Sequence, residues 1–193
     1  MSVHISIEQD SASWSNALSE LTEKIPKGAE EAAARAFNRA LDAGRAAIVR
    51  EVRQSYDVRA KDVRGTIWVS RASKWSVAPG GGMVASIGAK GSALPLRAFA
   101  HRPTSDTTGA KRKPVRVSIK AGRFFTAPGG FIWRGNIFYR KWETRLPIKK
   151  ASGPSVPSMI GRTDIADKIY TVMLETAEQR LEHELNRLTE GKK

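Results

Sequence analysis

In a chain without cysteine, catalysis and metal binding fall to histidines, carboxylates and hydroxyls, and here those groups are dispersed. The three histidines, His4, His101 and His183, stand far apart in the sequence. His183 lies between Glu182 and Glu184 on an expected helix. The HExxH spacing that brings two imidazoles and a glutamate to one zinc ion does not form there, so a solvated surface position is expected for it. A metal-dependent nuclease needs clustered carboxylates, yet the basic middle of the chain holds only Asp62, Asp106 and Glu143. Zero cysteines exclude disulfides and thiolate metal sites and fit a reducing compartment. The runs PGGG (79–82) and APGG (127–130) match neither the GxxxxGK(S/T) phosphate loop nor the GxGxxG fingerprint, and are expected to be turns. No catalytic, cofactor-binding or metal-binding residue is assigned, and the expected protein is not an enzyme.

Binding chemistry remains, and it is cationic. The net charge is +14, unevenly placed. Residues 1–58 carry seven Lys/Arg against nine Asp/Glu, residues 59–150 twenty against three, and residues 151–193 six against seven. An excess of this kind predicts an anionic partner, most often nucleic acid. Its densest point is Lys111, Arg112 and Lys113, at the end of the polar stretch RPTSDTTGAKRKP (102–114), and these three are the candidates for contact with DNA. Aromatics interleave with the cations: Trp68, Trp75, Phe99, Phe124, Phe125, Phe131, Trp133, Phe138, Tyr139 and Trp142. They could stack on single strands, but sheet core and subunit interface are preferred. A free-standing, nonspecific nucleic-acid-binding protein is the alternative reading at this level, and a basic surface with no particular target the blandest one.

The elements that must position these groups read as α+β, with long N-terminal and C-terminal helices packed on a central, mainly antiparallel β-sheet. The length, 193 residues, suits one domain with an extension. Residues 1–24 are expected to form a strand (3–7) and a short amphipathic helix through Trp14, Leu18, Leu21 and Ile25; residues 25–193 form the domain. Phe37, Leu41, Ile48, Val52 and Tyr56 predict a helix over 27–56, alanine-rich and therefore slim, with a close contact at Gly44. Strands are expected at 66–72, 75–78, 83–89 and 115–122, an edge strand at 94–100, and a hairpin at 130–143 around Arg134-Gly135-Asn136. Ala166, Ile169, Met173, Ala177, Leu181, Leu185 and Leu188 form the seam of a last helix, 163–189, with Thr163 as its N-cap. The N-terminus lacks a signal-peptide pattern and no apolar run approaches membrane-spanning length, so a soluble, non-secreted protein without membrane contact is expected.

Between the last strand and the last helix lies RLPIKKASGPSVPSMIG, 145–161. No acid, base or nucleophile accompanies it, so a substrate loop is not expected. Pro147, Gly153, Pro154 and Pro157 mark it as a rigid connector or interface segment. In the expected arrangement Pro154 and Pro157 set an extended path to Thr163.

This connector, taken with AFNRALDAGRAAIVREVRQSY, VRAKDVRGTI, LPLRAF and APGGFI in that order, resembles the minor tail protein Z family of tailed bacteriophages, the tail completion proteins. AKDVRGTI and RLPIKKASGPSVPSMIG are the most specific parts, and the resemblance spans roughly residues 25–190. It implies a structural virion component, assembled in the host cytoplasm, at the head-proximal end of the tail. It implies a ring, commonly a hexamer, beside the tail terminator, tail tube and head–tail connector, with genomic DNA passing through. It implies no catalytic residues and no cofactor. Charge alone bounds the DNA contact. A compact chain of this length is about 40 Å across, and that much duplex carries only about 24 phosphates, against roughly a hundred net positive charges from six middle regions. Only a few cations per copy are therefore expected to approach DNA.

Overall fold

The computed structural model describes residues 2–8, 26–73, 84–105, 113–142, 144 and 146–190. Among them lie four α-helices: α1 (Pro26–Ser55), α2 (Ala60–Arg64), α3 (Val156–Ile160) and α4 (Thr163–Glu190). The α+β class expected from the sequence is the one observed. The short helix expected through Trp14 and the strand at 75–78 lie outside the described residues.

Periodicity places the long helices, and small residues set how near they come. The buried stripe of α1 runs through Ala33, Ala36, Phe37, Ala40, Leu41, Ala47, Ile48 and Val52. Helix α4 answers with Ile165, Ile169, Met173, Ala177 and Leu181, one residue in four. Its seam starts at Ile165 rather than at Ala166, which is half-buried. The two helices meet at Gly44, where an added Cβ would stand 2.6 Å from both Cγ and Sδ of Met173. Arg35 pairs with Glu184 at 3.2 Å near one end, and Lys168 with Glu51 at 3.7 Å near the other, so α1 and α4 run antiparallel. Their largest interface is with each other, and sheet packing is the smaller share, because a stripe of alanine and glycine lets helix backbones close where a sheet could not follow. Thr163 is the first helical residue and not the cap: the Arg162 carbonyl accepts from the amides of Ile165 and Ala166.

The strands form three antiparallel three-stranded sheets rather than one central sheet. In the first, β1 (Ser2–Glu8) and β2 (Ile67–Ser70) flank β3 (Val84–Lys90). Ile5, Ile87 and Val69 lie in register, as do Val3, Ala89 and Ile67. Helix α1 packs on β3, and α3 packs on β1 and β3. Asn38 of α1 ties down the end of β2 by exchanging two hydrogen bonds with Ala72, at 3.0 and 2.9 Å. The second sheet is β4 (Ala100–Arg102), β5 (Arg116–Ser118) and β6 (Phe124–Thr126); the third is β7 (Phe131–Trp133), β8 (Asn136–Arg140) and β9 (Ile148–Lys150).

The expected edge strand at 94–100 is instead a bridge at Pro95, a 3-10 turn over Leu96–Ala98 and the start of β4. Burial of both Leu96 and Ala98 turns the chain inward where alternation alone predicts a strand. The hairpin forms where expected. Its turn places Arg134 at φ 46° and Gly135 at φ 66°, the left-handed pair that matches strand twist.

Candidate functional site: a braced connector beside a cationic surface

The connector 145–161 is fastened along its length. The amide of Ala151 donates to Ile137 O at 2.9 Å, and that of Leu96 to Ala151 O at 2.9 Å. Gly153 N donates to Leu94 O at 2.7 Å, and Leu94 N to Pro154 O at 3.3 Å. Residues 94–96 and 151–154 therefore run as an antiparallel strap. Gly153 permits its closest point, since a Cβ there would lie 2.7 Å from the Phe99 ring. Phe99 in turn bridges Val58, and Arg59 N donates to Ala98 O at 3.2 Å. Three of the segments that carry the family resemblance, 58–67, 94–99 and 151–161, are thus one physical cluster.

The extended path expected through Pro157 is a correction. Val156–Ile160 is helix α3, capped by Ser155, whose Oγ accepts from Ser158 N at 3.3 Å. Pro157 sits in its first turn, where a proline's missing N–H leaves no bond unmade. Val156, Pro157, Met159 and Ile160 are all buried, which is what favours a helical turn over an extended passage. Pro154 is half-buried in the strap, and Pro147 is exposed at the entry to β9. At the α3–α4 corner, Arg162 grips Asp164 with two hydrogen bonds, at 3.0 and 3.1 Å. The Arg162 hydrogen bond holds the Asp164 carboxyl below its ordinary range, while Asp164 and then Tyr56 hold the Arg162 guanidinium above its own.

Of the DNA-contact candidates, Lys113 is exposed at the foot of the basic loop, and Lys111 and Arg112 lie outside the described residues. Pairing of β4 with β5 sets Arg102 directly opposite Arg116, with both guanidinium carbons over the Phe124 ring at 5.7 and 5.9 Å from its centre. Like charges in register repel. This doublet depends on strand register, so sequence spacing alone could not reveal it.

A second cationic region, on α1 and α2, was hidden by counting charge along the chain. A cleft of about 480 Å³ is lined by Arg45, Arg50, Arg53 and Arg64, with Ala46 and Val49 as its apolar part and Asp42 at its margin. An adjoining cleft of about 600 Å³ shares Arg53 and adds Arg59, Arg97, His101 and Thr104, with Asp57 as its one carboxylate. The helical spacing of Arg45 and Arg53 was the available signal. Of the acidic residues on this part of α1, Asp42 pairs with Arg71 at 2.8 Å, outside the cleft, while Glu51 offsets one lining arginine, Arg50, at 2.9 Å.

The histidines are not brought together. His4 on β1 stacks on Trp68 at 5.4 Å, His101 Nδ1 lies 2.9 Å from Phe99 O, and His183 is exposed on α4 as expected. Asp62 is occupied by Arg59 at 2.7 Å, and Asp106 and Glu143 lie outside the described residues. Among the described residues no group of three His, Cys, Asp or Glu side chains is placed to hold a metal ion, and no helix is long and apolar enough to cross a membrane.

Of the two roles expected for the aromatics, sheet core and subunit interface, burial within this chain accounts for few of them. Phe99 is buried, but Trp68, Phe124, Phe125, Trp133, Tyr139 and Trp142 are exposed, Phe131 and Phe138 are half-buried, and Trp75 lies outside the described residues. In the third sheet Ile132 and Ile137 are buried, while Phe131, Trp133 and Phe138 form a contiguous cluster with Arg134 and Arg140 over its rings; in β6 the successive Phe124 and Phe125 are both exposed.

No curated protein and no solved structure matches the chain. The family model of prophage minor tail protein Z matches residues 14–190, beginning ahead of the stretch that carries the resemblance, and the chain therefore belongs to that family of structural proteins of the phage tail.

Proposed function

We propose that the protein completes the head-proximal end of the tail as a closed homo-oligomeric ring, six-fold in its simplest form. The ring lies beside the tail terminator and tail tube on one side and the head–tail connector on the other, and genomic duplex DNA passes through it. Beyond family membership, one observation carries the reading. Of the eight large hydrophobic side chains exposed among the described residues, six lie between Phe124 and Leu146. Exposed apolar area gathered on one segment favours a protein neighbour. Repetition of one heterologous contact closes into a ring. In this reading the braced connector with Pro147, Gly153, Pro154 and Pro157 fixes the angle between the small sheets and the helices, and so the curvature of the ring. Lys111, Arg112 and Lys113 reach toward DNA.

The test is imaging of purified tails incubated with the protein. Ring-shaped density at one tail end is expected for the wild type and its loss for the Trp142→Ala, Leu146→Ala double variant. A strictly monomeric protein with no affinity for tails would sink the proposal.

A further inference from the structure

We infer that the surface facing duplex DNA is an arginine track on α1 and α2, running from Arg45 through Arg53 and Arg64 to Arg97, and that it docks the phosphate backbone of the duplex. This rests on the proposed passage of DNA through the ring and names the residues that meet it. Arg45 and Arg53 stand about 12 Å apart along one helix, Arg64 faces them from α2, and Arg53 is common to both clefts. The second cleft also includes Thr104, so the track leads to the foot of the basic loop at 102–114.

The pattern of pairing separates these arginines from their neighbours. Arg50, Arg59 and Arg71 are each tied to a carboxylate. Arg45, Arg53, Arg64 and Arg97 are exposed and have no ion pair among the described residues. Against these four stand two lining carboxylates, Asp42, paired with Arg71, and Asp57, which accepts from Ser118 Oγ and Gly122 N. The joined clefts therefore keep a positive excess that raises the local potential and favours an anion with repeated charge.

Duplex DNA fits this better than an acidic protein. A protein interface is anchored by exposed aromatic and aliphatic groups that become buried, whereas Tyr56, Val58 and Phe99 in one cleft are already buried in this chain's own core, and the other cleft offers only Ala46 and Val49. The anchors a protein would use are concentrated on the small sheets instead. The number of charges is also commensurate. Four arginines in each of six copies stay within the roughly 24 phosphates carried by ~40 Å of duplex, and the loop cations Lys111, Arg112 and Lys113 would come in addition.

The experiment is fluorescence anisotropy of a labelled 24-base-pair duplex titrated with the full chain across a range of salt concentrations. The variants are Arg45→Ala, Arg53→Ala, Arg64→Ala combined, and the corresponding triple Lys substitution. Each neutralised phosphate contributes about 0.9 to the slope of log K against log salt, so the alanine variant should flatten that slope by about 2.7 and the lysine variant should largely restore it. Circular dichroism melting of each variant checks that the exposed substitutions leave the fold intact. An unchanged slope overturns the inference. So does a wild type that binds polyglutamate more tightly than duplex, which would assign the track to an acidic protein. Ring formation is read separately by imaging. A triple alanine variant that still forms rings with the slope unchanged rejects the track alone, and a wild type that binds duplex but forms no ring rejects the ring alone.

Discussion

The half of the molecule built from α1, α4 and the first sheet conceals its large side chains, and the half built from β4 to β9 displays them. Phe37, Leu41, Ile48, Ile87, Ile169 and Met173 are fully buried in the first half, where among the described residues Trp68 on β2 and Tyr170 on α4 are the large hydrophobics left exposed. In the second, Ile132 and Ile137 are buried, but Phe124, Phe125, Trp133, Tyr139, Trp142 and Leu146 meet solvent. Both halves draw on the same kinds of residue. The difference lies in cover: two helices of 30 and 28 residues shield one another, while among the described residues the strands of three to five residues leave large side chains exposed. The first half stabilises the monomer, and in the proposed ring the second half awaits a neighbour.

The largest expected effect breaks that contrast directly. Ile169→Ala, which deletes a fully buried side chain between α4 and α1, should cost about 2–5 kcal/mol in denaturant unfolding. Trp142→Ala removes a larger side chain, yet its 61% exposure predicts a change in monomer stability within about 0.5 kcal/mol. Its defect should appear in assembly with tails. Comparable losses of stability for both substitutions would erase the distinction between the halves.

How the first half closes so tightly can be tested at one contact. Gly44→Ala gains helix propensity, about 1 kcal/mol, but puts a methyl group 2.6 Å from Met173 Cγ, and overpacking of this kind costs about 1–3 kcal/mol. Net destabilisation is expected. Met173→Ala alone should cost about 2–5 kcal/mol through the cavity it opens. In the double variant the new methyl occupies part of that cavity, so the two losses should fall short of additive by at least about 0.5 kcal/mol in a thermodynamic cycle. Strict additivity would place the helices farther apart than described.

The sequence foretold these two halves unequally. Alanine-rich periodicity and Gly44 announced α1 and its close contact, because a helix repeats its signal over many turns. Arg134-Gly135 announced the hairpin, because that turn needs two positive φ angles. The exposed aromatics resisted prediction, since alternation in a three-residue strand does not say which face is covered. Arg102 and Arg116 become neighbours only through register, and Arg45 and Arg64 only through the fold. The connector was half legible: its prolines promised rigidity, but Pro157 in a first helical turn and Pro154 in a strap look alike in sequence.

The smallest effect lies at the corner where the connector enters α4, the joint between the two halves. Arg162 lowers the Asp164 carboxyl below its unfolded value, so the carboxylate is favoured in the native state. A lowered native value means the unfolded chain binds more protons in the acid range. The contribution is therefore complete at neutral pH, declines as pH falls through the ordinary carboxylate range, and is gone below the native value. Asp164→Asn should shift stability slightly at pH 7 and not at all at the acid extreme, with the gap between variant and wild type closing as pH is lowered. The pair is exposed, so salt should narrow the same gap at neutral pH. A gap that persists unchanged in acid would mean the corner is held by the packing of α3 and the strap, with the ion pair a bystander.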